Sequence, residues 1–141
     1  MPLPKTANPL VICTDFENEQ AWKAICDLIR APNSESGVAF YAYVEFLEDH
    51  DFCGLSKEEL VAAVPDGYAH AFFFVVDGTA VANPEFPVLV VDLCETRGRS
   101  FRAIPSQVQS IQNNLSIANM GFGEFADAVD ADGVFRGFPK I

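Results

Sequence analysis

The chain has 141 residues, half of them hydrophobic, with 13 Phe and a formal net charge of −11, which is enough for one well-covered core and too little for two. Twenty acids against nine Lys and Arg repel phosphate backbones and anionic headgroups, which argues against nucleic acid or a membrane surface as a direct partner. The strongest apolar run, residues 71–76, is far too short to span a bilayer. With no repeat and no linker, a single domain over residues 1–141 is expected.

Met1-Pro2-Leu3-Pro4-Lys5 lacks the charged-then-apolar pattern of a signal peptide, so a cytoplasmic protein is expected. Residues 9–13 read as a short buried strand. Thr14-Asp15-Phe16-Glu17 then has the spacing of a capping box for a helix to about Arg30, with Ala21, Trp22, Ile25, Leu28 and Ile29 on its apolar face. Pro32 and the polar run 33–37 end that helix, and residues 38–47 form a β-rich second strand. Ser56-Lys57-Glu58-Glu59 is a second capping box, opening a short helix through Leu60, Val61 and Val64 that stops at Pro65. Residues 71–76 suit a central strand covered on both faces.

Asp77-Gly78 reads as a hairpin turn returning through residues 79–82. Residues 88–93 and 100–104 follow as paired core strands. Residues 105–115 and 122–129 read as two closing helices, the second carrying Phe122, Phe125, Ala126 and Val129 at helical spacing, and residues 134–138 as a last strand or packed tail. The expected fold is α/β, a mixed sheet with a βαβαβ start, antiparallel strands added to it, and two C-terminal helices.

Four cysteines with no C-x-x-C pair encode neither a zinc knuckle nor a redox dithiol. Cys13, Cys26 and Cys94 are expected to pack as small hydrophobes, leaving Cys53 in a loop as the accessible thiol. Gly121-Phe122-Gly123-Glu124-Phe125-Ala126 matches the letters of a dinucleotide fingerprint but has no strand before it. Asp130-Ala131-Asp132-Gly133 resembles a calcium loop, with Ala128 and Pro139 standing at positions that need ligands. No cofactor is expected.

In open α/β sheets, ligands bind beyond the carboxyl ends of the parallel strands. Those ends place Thr14 and Asp15 after the first strand, Glu48, Asp49 and His50 after the second, and Asp77 after the third. Asp15, Glu48, Asp49, His50 and Asp77 are therefore the candidate ligand- or partner-binding residues. Glu45, Glu48, Asp49 and Asp51 also make the densest acidic knot, in the more acidic half of the chain. Arg97, Arg99 and Arg102 are expected to pair with the excess acids, and Arg136 to stack on an aromatic face or pair with a buried acid such as Asp92.

The stretch NNLSIANMGFGEFADAVDADGVFRGF, from Asn113 to Phe138, resembles the C-terminal block of a family of small acidic proteins of actinobacteria and some fungi, catalogued as a domain of unknown function. Thr14-Asp15-Phe16 with Trp22, Pro84-Glu85-Phe86-Pro87 with Val90-Val91-Asp92-Leu93, and Phe101-Arg102 with Ile104-Pro105 match it as well. Gly121 and Gly123 depart from the acidic residues expected there. The resemblance implies no chemistry. Two readings stand: a soluble acidic binding protein, an inhibitor or immunity-type partner of a basic target, or a small enzyme, cofactor-free or using a divalent metal, acting on a small molecule with Asp15, Asp49, His50 and Asp77 as its acid, base and ligand set.

Overall fold

A computed structural model describes residues 1–34 and 37–139. Six strands form one mixed sheet in the order β2-β1-β3-β4-β5-β6: β1 Leu10–Cys13, β2 Glu45–Leu47, β3 Phe72–Val76, β4 Val88–Asp92, β5 Ser100–Ala103 and β6 Val134–Phe135. The first three are parallel, with β1 between β2 and β3. β4 then runs antiparallel to β3, β5 antiparallel to β4, and β6 parallel to β5. The expected mixed α/β architecture, with a βαβαβ start, is the observed one.

Period-two alternation sorts the strand side chains into two cores. Val11, Phe72, Phe74, Val76, Val90 and Phe101 face one side. There they meet α1 (Glu19–Arg30), α3 (Gly78–Ala82), α4 (Val108–Ser116) and α5 (Phe122–Ala126). Leu10, Ile12, Phe73, Val75 and Val91 face the other side, covered by α2 (Lys57–Ala62) through Leu60, by Phe52 and by Leu3. All five residues of β3 are buried, which is why that run carries no polar alternation.

Local chemistry departs from the expected elements at several points. Asn18, not Thr14, caps α1, its side chain accepting from Ala21 N; Asp15 instead closes a turn on Glu17 N. On α1 Cys26 is buried as expected, whereas Leu28, expected on the apolar face, is 47% exposed. Residues 38–44 do not join the sheet, although Phe40 bridges back to Asn33, and of the polar run 33–37 Glu35 and Ser36 lie outside the described residues. Asp77 makes no hairpin: its carboxylate accepts from Ala80 N and caps α3, so a helical turn replaces the return strand. Ser56 and Glu59 do form the expected reciprocal cap. The last two helices are shorter than their apolar spacing implied, residues Pro105–Gln107 being a 3₁₀ turn and α5 ending at Ala126.

Candidate functional site

The loops after β1 and β2 and the first turn of α1 enclose a cavity of about 230 Å³, lined by Cys13, Asp15, Phe16, Glu19, Trp22, Glu48 and His50. Each side chain arrives by a local rule. Asp15 and Glu48 stand just past two parallel strands paired at Ile12 and Leu47, so the pairing sets them side by side. Glu19 and Trp22 lie three residues apart on α1 and share a face. The Trp22 indole N–H donates to Glu48 Oε1 at 2.5 Å. The His50 ring stacks on Phe16 with centroids 4.0 Å apart.

Three carboxylates and three aromatic rings thus share one concavity, with no Lys or Arg among the described residues that line it. Cys13 adds no nucleophile. Burial pushes its thiol up to about 11, and the S–H donates to Asp15 O at 3.3 Å. Carboxylates beside aromatic faces provide what an organic cation needs, a counter-charge and a quadrupole. A second cavity of about 420 Å³ shares Trp22 and Glu48 as a wall and holds Arg30, whose guanidinium carbon lies 4.4 Å over the Phe46 ring.

Of the residues singled out from sequence, the cavity brings together Asp15, Glu48 and His50 and leaves two outside it. Asp49 caps the 3₁₀ turn at His50–Phe52 by accepting from Asp51 N. Asp77 is gripped by Arg102, whose two terminal nitrogens reach its two oxygens at 2.9 and 2.7 Å. Burial works to raise the Asp77 pKa, and the Arg102 bonds outweigh it, so the carboxyl sits below its ordinary value. No group of three or more His, Cys, Asp and Glu side chains among the described residues is arranged to hold a metal ion. The cavity's Phe16, Glu19 and Trp22 were not singled out from sequence as site residues. Trp22 reads as core, and is buried, but its polar edge faces the cavity.

The arginines divide as follows. Arg99 pairs with Asp127 and Arg102 with Asp77, while Arg97 donates to the Val61 carbonyl. Arg136 meets Glu85, Asp130 and Asp132, not Asp92. Asp92 is instead buried and accepts the backbone N–H groups of Cys94 and Thr96. His70 accepts no site role, one ring nitrogen lying 2.9 Å from Thr6 O.

Fold and site together define a mixed α/β protein with an acidic, aromatic-lined cavity at the carboxyl ends of its first two parallel strands. No helix among the described residues is long and apolar enough to cross a membrane. Residues 8–138 match the family described as a domain of unknown function (DUF6924), and the chain belongs to that family. No curated protein matches it.

Proposed function

We propose that the protein is a binding protein whose acidic cavity receives a basic side chain, guanidinium or ammonium, presented by a partner protein. The observation that carries this reading is the cavity itself, where Asp15, Glu19 and Glu48 surround Phe16 and Trp22. Its volume of about 230 Å³ falls below the roughly 300–1,000 Å³ usual for whole small-molecule ligands, and suits one side-chain head group. Arg30 resting on Phe46 next door is the chain's own example of that packing. The net charge of −11 would speed encounter with a basic target. An inhibitor or immunity-type protein is the form such a partner takes, and four free thiols suit a reducing, cytoplasmic setting. The enzyme reading asked Asp49 and Asp77 to share the cavity with Asp15 and His50, and both carboxylates are engaged elsewhere.

The test uses an oligo-arginine peptide as probe and two triple variants of equal net charge. Asp15→Asn/Glu19→Gln/Glu48→Gln neutralises the cavity while keeping an acceptor at each position. Glu58→Gln/Asp66→Asn/Glu95→Gln neutralises three exposed acids outside that cavity. Partly exposed charge pairs are worth about 0.2–1 kcal/mol each, so the cavity variant should bind about tenfold more weakly and with a flatter salt dependence, while the control stays near wild type. Equal weakening in both variants would reduce the effect to the general field of the molecule and overturn the reading.

A further inference from the structure

We infer that the groove along α4 binds an extended, uncharged polypeptide segment, by its backbone through side-chain amides and by its side chains against exposed apolar residues. This inference is independent of the acidic cavity. The groove, about 770 Å³, has Gln107, Gln109, Asn113 and Asn114 on its polar side, and Phe40, Ile117 and Phe138 as apolar surface. It is chemically unlike the rest of this acidic molecule. Among the described residues no carboxylate lines it, and the one charged residue of that lining, Arg136, is already ringed by Glu85, Asp130 and Asp132.

The same helix already holds a stretch of backbone outside the sheet. Gln112 Oε1 accepts from Tyr43 N at 2.8 Å, and Asn113 Nδ2 donates to Tyr41 O at 2.9 Å. One backbone N–H and one C=O of a short segment are thus met by adjacent side-chain amides of α4, in place of the backbone partners a strand would supply. Along the groove the amides are held in place in the same way. Gln109 Nε2 donates to Asn113 Oδ1 at 2.8 Å, and Asn114 Nδ2 to Ser110 O at 2.8 Å. Those bonds leave Gln109 Oε1 as an acceptor, and the Gln107 amide, donor and acceptor both, has no side-chain hydrogen bond among the described residues. A primary amide offers the N–H and C=O of a peptide group, so this face is complementary to peptide backbone.

The apolar side supplies the rest of the recognition. Phe40 is 47%, Ile117 74% and Phe138 43% exposed, and Phe138 is braced from behind by Phe125 and Phe135 at centroid distances of 5.4 and 5.0 Å. Alternate side chains of an extended segment would rest on these residues while its backbone meets the amides, the division of labour of strand-like peptide recognition. Charge selects an uncharged segment. An acidic one is repelled by the whole molecule, and a basic one finds no carboxylate among the described residues of the lining.

The probe is an array of short synthetic peptides without charged residues, with apolar residues at alternate positions, and the tightest binder is then titrated by fluorescence anisotropy. Ile117→Asp places a charge on the groove, and Gln107→Ala/Gln109→Ala removes the two amides. Each should weaken binding about tenfold or more, with melting midpoints close to wild type because Ile117 is exposed, the Gln107 amide is unbonded among the described residues, and Gln109 gives up only its one side-chain bond to Asn113. The cavity variant Asp15→Asn/Glu19→Gln/Glu48→Gln should bind the peptide normally, which separates this groove from the proposed basic-side-chain site. The inference is overturned if no array peptide binds below about 1 mM, if Ile117→Asp binds as wild type does, or if the cavity variant loses the peptide. Binding of neutral oligosaccharides in place of peptides, abolished by the same two groove variants, would also overturn it.

Discussion

Asp15 and Asp77 stand in equivalent places, just beyond the carboxyl ends of neighbouring parallel strands, and their neighbours send them to different work. Asp77 meets a guanidinium from β5 and caps α3, so its charge is spent inside the fold. Asp15 uses one oxygen to hold the Glu17 N–H and stays in the cavity lining. The thiols divide in the same way. Cys13 and Cys26 are buried, whereas Cys53 and Cys94 are exposed, Cys94 because β4 ends at Asp92, two residues before it. Burial raises the Cys13 and Cys26 thiols to about 11 and about 12, so neither supplies thiolate near neutral pH. A chromogenic disulfide reagent at pH 8 should therefore label two cysteines quickly in the native protein and all four in denaturant. Fast labelling of Cys13 or Cys26, read by peptide mass, would show that the site opens readily.

At the scale of elements, Phe125 makes the case for α5. The helix is only five residues long and has little intrinsic stability. It is held by Phe125, fully buried and packed edge-to-face on Phe135 at 5.3 Å. Phe125→Ala should cost about 3–5 kcal/mol, measured by denaturant unfolding against Glu58→Ala as an exposed control; equal midpoints would mean that α5 does not anchor the tail. Element order was legible from sequence because long apolar runs and Ser56's reciprocal cap are local signals. Three features were not. The run at 38–44 has strand composition, yet its backbone is met by the amides of Gln112 and Asn113, 69 and 72 residues away. Asp77-Gly78 suits a hairpin and a helix cap equally, and the reach of Arg102 across β4 to Asp77 is a tertiary fact. In the site, topology alone brought Asp15, Glu48 and His50 to one end of the sheet. Trp22 was hidden because a large aromatic on a helix face reads as core, and the partner of its indole N–H lies on another loop.

For the whole molecule, arginine-paired acids and buried thiols set how stability varies with pH. Glu85 and Asp132 are held below their ordinary values of 4.5 and 3.8, first by their bonds to Arg136, and Asp77 below 3.8 by Arg102 against the opposing effect of burial. Depressed carboxyl pKa values give stability that is present above those ordinary values and lost as pH falls through the lower folded ones. Repulsion within a chain of net charge −11 eases on the way down from neutrality, before those pairs break, so stability should peak in the weakly acidic range. On the alkaline side the sign reverses. Burial raises Cys13 from 9.0 to about 11, Cys26 from 9.0 to about 12 and Tyr68 from 10.0 to about 12. The folded state keeps these protons after the unfolded chain has released them, so these three groups leave stability unaffected below about pH 9 and lower it as pH rises toward 12. Each group can steepen the fall by up to about 1.4 kcal/mol per pH unit within its window. Urea midpoints measured from pH 4 to 11 should show a sharper loss above pH 9 than exposed thiols would produce. Cys13→Ala/Cys26→Ala should be less stable at pH 8, through the cavities it leaves, yet lose less between pH 9 and 11. A double variant with the wild-type alkaline slope would mean that these two thiols do not resist ionisation, and that the base of the acidic cavity is wetter than its packing implies.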